Sequence, residues 1–191
     1  TSMTNGGSSI ASAFLQPHIG GDIALLKGIA KVVLDRNAEE KNFIRDCTNG
    51  FEDFKKDIEG LTWPDIETSS GVTRAEITEI ADWFCEAKRV VFTWAMGITH
   101  HLHGVDNVES IVNLALLRGM VGRPHAGLLP LRGHSNVQGD RTMGIYEKPS
   151  AQFLSALKNR FKFDPPEAHG YDVVESIKAM HQGKVKIFCA M

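Results

Sequence analysis

The chain has 191 residues, 42% hydrophobic and 23% charged, which is material for one large domain or parts of two. Its 21 Lys and Arg against 23 Asp and Glu leave a net charge of -2, which excludes global attraction to nucleic acid or an anionic membrane. No apolar run approaches the roughly 20 residues that span a bilayer. Cys47, Cys85 and Cys189 lie far apart and form no C-x-x-C pair, so they read as reduced, mostly buried thiols of a cytoplasmic protein.

Residues 1–21 are rich in Gly, Ser and Thr and have neither the charged start nor the apolar core of a signal peptide. Ile23, Leu25, Leu26, Ile29, Val32 and Val33 cover almost the whole circumference of a helix over 23–35, which predicts burial on nearly all sides. Shorter amphipathic helices follow over 38–48 and 51–59, split by the Asn49-Gly50 turn signal, and then a connection or helical turn over 61–70. Thr73 and Glu76 form a capping box ahead of Ile77, Ile80, Ala81 and Phe84 at helical spacing.

Residues 89–94 read as a buried strand and 95–105 as a Gly/His loop. Asp106 and Glu109 suggest a second capping box, opening a helix through Leu117. After a long loop, a helix over 150–161 should turn Phe153, Leu154, Leu157 and Phe161 inward. One over 171–181 should bury Val174, Ile177 and Met180, and 185–191 should be a final strand. The expected fold is α/β: part of a Rossmann-like three-layer parallel sheet with flanking helices. A sheet with two confident strands is small for a self-sufficient domain, and the expectation is an internal piece of a larger protein.

The loop over 118–144 carries the most chemistry. Arg118, Arg123, Arg132 and Arg141 offer cations, and His134, Ser135, Asn136 and Gln138 offer neutral donors and acceptors. Six glycines, Gly133 among them, let backbone approach a ligand, and bared amides beside arginines suit a diphosphate. The other reading is a structured surface loop. The G-K-[ST] of a Walker loop and a compact G-x-G-x-x-G are both absent.

Residues 94–100 follow a strand, where open α/β sheets bind ligands, so Gly97, Thr99 and His100 are either ligand contacts or an ordinary turn. Gly20-Gly21-Asp22 is either a helix cap or a carboxylate for a guanine-type edge. His100, His101 and His103 lack clean metal-ligand spacing and read as loop histidines.

The segments Trp-Ala-Met-Gly-Ile-Thr (94–99), Asn-Leu-Ala-Leu-Leu-Arg-Gly (113–119), Gly-Arg-Pro-His-Ala-Gly (122–127) and Arg-Gly-His-Ser-Asn-Val-Gln-Gly-Asp-Arg-Thr (132–142) resemble the molybdopterin oxidoreductases. The likeness is to the formate-dehydrogenase-like alpha subunits of the DMSO reductase superfamily. It spans nearly the whole chain, Gly20–Asp22 and the helix after it included.

The resemblance implies a bis-molybdopterin guanine dinucleotide cofactor carrying Mo or W. It implies guanine binding by Asp22 with Gly21 beside it, and dinucleotide binding through Met96, Gly97 and His100, the last standing where the family commonly has Gln. It places Arg132 near the metal, holding a small anionic substrate such as formate. His125 stands where the family commonly has Gly. The cluster cysteines of the family, for a 4Fe–4S cluster upstream, and its metal-ligating Cys or selenocysteine match none of the three cysteines here.

Residues 1–145 are thus expected to belong to the dinucleotide-binding domain and 146–191 to begin an adjacent α/β domain. The partners expected are the remainder of the polypeptide and the anionic substrate, with the chain alone inactive. The alternative function is a non-catalytic nucleotide- or pterin-binding module.

Overall fold

A computed structural model describes residues 11–134 and 136–189. The chain divides into two compact units, residues 1–133 and 134–191.

The first unit is organised on α1 (Asp22–Asp35), where Ile29, Ala30, Val32 and Val33 are buried and every other residue from Asp22 to Leu34 is at least half-covered. Around it pack α3 (Phe51–Gly60), α4 (Trp63–Ser70), α5 (Arg74–Glu86) and α7 (Gly104–Leu117), while α2 (Lys41–Cys47) lies against α7. Ile58, Ile66, Ile77, Leu114 and Met120 close the core. The all-round apolar pattern of α1 is therefore what a central helix surrounded by others requires.

The stretch 61–70 holds a full helix over Trp63–Ser70. The Thr62 side chain accepts from the Asp65 N–H, Pro64 takes the first turn, where its missing N–H costs nothing, and Gly71 ends it in the left-handed region at φ 71°. The Thr73–Glu76 capping box is present as expected. The expected box at Asp106 and Glu109 is not: the helix begins two residues earlier, at Gly104, and the Asp106 carboxylate instead lies 3.2 Å from Nδ1 of His103.

Strand β1 (Val91–Trp94) pairs in parallel with β2 (Gly127–Pro130), with Val91 opposite Gly127 and Trp94 opposite Pro130. A mixed, helix-rich fold with a parallel pair is thus correct at the coarse level, but the strands differ from expectation in two ways. First, β1 is not buried. Phe92 and Trp94 face the core side, Phe92 edge-on to Phe84 at 5.7 Å, while Val91 and Thr93 are exposed. Second, its partner comes from within the long loop, and residues 185–189 form no strand.

The short α6 (Met96–Thr99) occupies part of what reads as loop in the sequence. Among the cysteines, Cys47 and Cys189 are exposed and Cys85 is half-buried, contrary to the expected burial. The half-burial pushes the Cys85 thiol up from its ordinary pKa, against the opposing pull of Arg118.

The second unit contains α8 (Val137–Thr142), α9 (Ala151–Phe161) and α10 (Val173–His181). Ser150 caps α9, and Asp172 with Glu175 forms a capping box on α10. The expected inward faces hold in part. Phe161, Val174 and Ile177 are exposed, Phe153, Leu154 and Leu157 are half-buried, and Ala179 is the buried residue of α10. Amphipathic spacing identifies a face, not whether neighbouring chain covers it.

Candidate functional site

The polarity of the strand pair creates the site. Because β1 and β2 are parallel, both carboxyl ends open at one rim, and the Leu131 N–H donates to the Trp94 carbonyl at 2.7 Å to extend the ladder one step beyond the strands. Met96, Gly97, Thr99 and His100 follow β1 at that rim, and Arg132 and Gly133 follow β2. The two rims meet: a Cβ on Gly133 would lie 3.8 Å from the Met96 sulfur. This is the position in which open α/β sheets hold ligands.

The turn after β1 is held from inside. The His100 N–H and the Thr99 hydroxyl both donate to the Met96 carbonyl, at 2.9 and 3.0 Å. Asn107, 1% exposed, donates from Nδ2 to the Ile98 carbonyl at 2.8 Å. Gly104 packs so tightly on this turn that a Cβ there would run into the Thr99 carbonyl. Gly97 is open, with nothing within 4 Å of a Cβ, so its backbone is accessible to a ligand.

The Gly20–Asp22 turn arrives from the other end of the unit. The His18 N–H donates to the Ser70 carbonyl at 2.7 Å, and the Gly21 N–H to the His18 carbonyl at 2.8 Å. Gly21 is the N-cap of α1 and Asp22 its first residue, so Asp22 is not the cap that the sequence suggests; no side chain caps the helix. Asp22 is left to face elsewhere, and its Oδ2 lies 3.8 Å from Nδ1 of His101, with both side chains about one-fifth exposed.

The loop arginines make bonds within the protein. Arg118 donates to the carbonyls of Ala38 at 2.6 Å, Cys85 at 2.7 Å and Ala87 at 3.1 Å, and stacks over Phe84. Arg123 donates to the Lys88 carbonyl. In the second unit Arg141 pairs with Glu147 at 3.3 Å and lies over the Tyr146 ring. Arg118 in particular is committed to the fold by these three carbonyls.

His134, Asn136 and Gln138 belong to the second unit. The Asn136 side chain accepts from the Gly139 N–H as the cap of α8. Ser135 lies outside the described residues. Among the described residues no cluster of His, Cys, Asp or Glu is placed to hold a metal, and no helix is long and apolar enough to cross a membrane.

Two residues that matter here were not singled out in the sequence as such: His101, which faces Asp22, and Asn107, which orients the turn. Asn107 had a signal, being the polar member of a stripe that continues through Ile111 and Leu114 at helical spacing. His101 had none beyond its neighbours.

A parallel strand pair with an open glycine and polar side chains at its carboxyl rim has the arrangement in which α/β proteins bind ligands. The chain belongs to the molybdopterin oxidoreductase family, whose model matches residues 2–191. It is 42% identical over 199 residues to Protein YdeP of Escherichia coli K12, covering 99% of this chain and 26% of that protein. It is 39% identical over 191 residues to the uncharacterized oxidoreductase Rv2900c of Mycobacterium tuberculosis, covering 97% and 24%.

It is also 36% identical over 186 residues to formate dehydrogenase H of Escherichia coli K12, covering 93% and 26%. Among solved structures it resembles acetylene hydratase from Pelobacter acetylenicus, with a TM-score of 0.57, 20% identity, and coverage of 61% of this chain and 16% of that one; this is a likeness of fold. The chain spans about a quarter of the length of these curated relatives. The cofactor class of the family is a pterin carrying molybdenum or tungsten.

Proposed function

We propose that this chain supplies part of the pterin dinucleotide site of a formate-dehydrogenase-like molybdenum or tungsten oxidoreductase, as bis-molybdopterin guanine dinucleotide. The observation that carries the reading is the meeting of two ligand-type loops, 96–100 and 132–133, at the carboxyl rim of one parallel pair. The residues fit such a group. Gly97 offers open backbone, Met96, Thr99 and His100 are exposed around it, and Arg132 and Gly133 flank it from the second strand.

In this reading Asp22 accepts from the N–H edge of guanine, Gly21 lets the turn close, and Met96, Gly97 and His100 hold the nucleotide. By the family resemblance alone, His134, Ser135, Asn136 and Gln138 supply further contacts to the cofactor. When bound, the pterin metal takes up two electrons from the substrate. Arg132 orients a small anion such as formate through charge-assisted hydrogen bonds. A 4Fe–4S cluster and the metal ligand belong to other parts of the full-length protein. Residues 1–145 act as part of the dinucleotide domain, residues 146–191 as the start of its neighbour, and the protein works in the cytoplasm.

The test uses the full-length protein expressed with molybdate or tungstate supplied. The expected result is bound Mo or W with about two guanine nucleotides per metal after acid release, as the two-pterin cofactor requires, together with formate-dependent dye reduction that Arg132→Ala abolishes. Protein that binds pterin nucleotide but reduces no dye points to the non-catalytic module. Protein without metal or pterin under these conditions overturns the reading.

A further inference from the structure

We propose that His101 is a positioning residue for guanine recognition, acting by fixing the Asp22 carboxylate; this rests on the reading of Asp22 as the guanine acceptor. The two residues are 79 positions apart and are brought together by two independently braced turns. One brace is the His18–Ser70 and Gly21–His18 backbone hydrogen bonds beneath Asp22. The other is the Asn107–Ile98 bond together with the bond from the Gly104 N–H to the His101 carbonyl at 3.1 Å.

Their meeting leaves Nδ1 of His101 3.8 Å from Oδ2 of Asp22, with side-chain exposures of 21% and 19%. The neighbouring histidines differ. His103, with a 65% exposed side chain, pairs locally with Asp106, and His100 is exposed at the rim.

An aspartate at the first position of a helix has several rotamers open to it, and no side-chain cap uses this one. Guanine presents two adjacent donors, N1–H and the 2-amino group, and a carboxylate must be held in one plane to accept both. The imidazole is a chargeable group 3.8 Å from that carboxylate. It lies beside one oxygen, beyond hydrogen-bond length, and so limits the rotamers open to the carboxylate before the base arrives. Cytosine has no such paired donor edge, so a fixed Asp22 favours the guanine nucleotide over the cytosine one.

The test compares full-length wild type, His101→Ala, His101→Asn, Asp22→Ala and the Ala/Ala double variant, produced together with excess cofactor precursors. The readouts are acid-released GMP and CMP per protein, bound metal, and melting temperature. His101→Ala should lower GMP per protein by about 2- to 5-fold, the range for loss of one partly exposed polar contact. It should also raise the CMP share and leave the apo melting temperature unchanged. His101→Asn, which keeps a donor at that place, should restore most of the loading.

The double variant should load no worse than Asp22→Ala, because His101 acts through Asp22. GMP loading of His101→Ala equal to wild type overturns the proposal, as does a double variant clearly worse than Asp22→Ala, or a loss that follows melting temperature and that Asn does not rescue. A wild-type protein with no pterin nucleotide overturns the underlying function instead, so the two failures are distinguishable.

Discussion

Replacing Gly21 by alanine should be a costly single-methyl addition near the site. The backbone there has φ -86°, so alanine meets no dihedral penalty and the whole cost is steric. A Cβ would lie 2.7 Å from the Ser69 carbonyl oxygen, 2.9 Å from Ser70 Cα and 3.0 Å from the His18 carbonyl oxygen, where ordinary contact begins at 3.4 Å. All three are backbone atoms, so no rotamer change relieves them.

Overpacking of this kind costs about 1–3 kcal/mol, and loosening the turn weakens two backbone hydrogen bonds worth about 1 kcal/mol each. A loss of about 2–4 kcal/mol is expected. The control is Gly20→Ala, at φ +83° with open space around it, which carries only the left-handed penalty of about 1–2 kcal/mol. Urea unfolding followed by tryptophan fluorescence reads this unit, since Trp63, Trp83 and Trp94 all lie within it. Wild-type stability for Gly21→Ala, or a larger loss for Gly20→Ala, would refute the steric argument.

Four further outcomes are expected. Asn107→Ala leaves the buried Ile98 carbonyl without its donor, costing about 1–3 kcal/mol in the same unfolding assay and lowering pterin loading of the full-length protein. Arg118→Met removes the donor to three carbonyls and should cost about 3–5 kcal/mol in the same unfolding assay.

The Glu76 carboxyl is held below its ordinary range, first by the Thr73 hydroxyl and then by the Thr73 N–H. Its stabilising contribution is therefore complete above the unfolded carboxylate pKa and is lost as pH falls through the lower folded one. Glu76→Gln should flatten that part of the urea-midpoint profile between about pH 5 and about pH 3. Iodoacetamide should label Cys47 and Cys189 before the half-buried Cys85, as peptide mapping would show.

What was legible in the sequence follows from how local each cause is. α1 and the capping box at Thr73 were readable because a 3.6-residue apolar period and a three-residue reciprocal cap are written in adjacent positions. β2 was not, because Gly-Leu-Leu-Pro has no alternation and no β-branched residue, and it is a strand only because β1 lies beside it. The arginines of the long loop show the same limit. Composition grouped Arg118 with Arg132, yet Arg118 is committed to carbonyls of residues 31 to 80 positions away.

The residues named at 96–100 and 132–133 do converge, and that convergence required the parallel register, which no local pattern specifies. His125 shows a resemblance and a geometry agreeing: it stands where the family commonly has glycine, and it adopts φ 63°, a region that glycine enters freely and histidine tolerates better than most residues.

The parallel direction of β1 and β2 also determines how such a rim can be enlarged. In a parallel sheet every strand delivers the loop after it to the same side. A third strand laid along either edge would bring its own loop level with Met96 and Arg132, without disturbing the braces beneath them. The rim can therefore grow by accretion, each new strand adding contacts for a larger ligand while the earlier ones stay in place. An antiparallel neighbour would send its loop to the opposite side and add nothing.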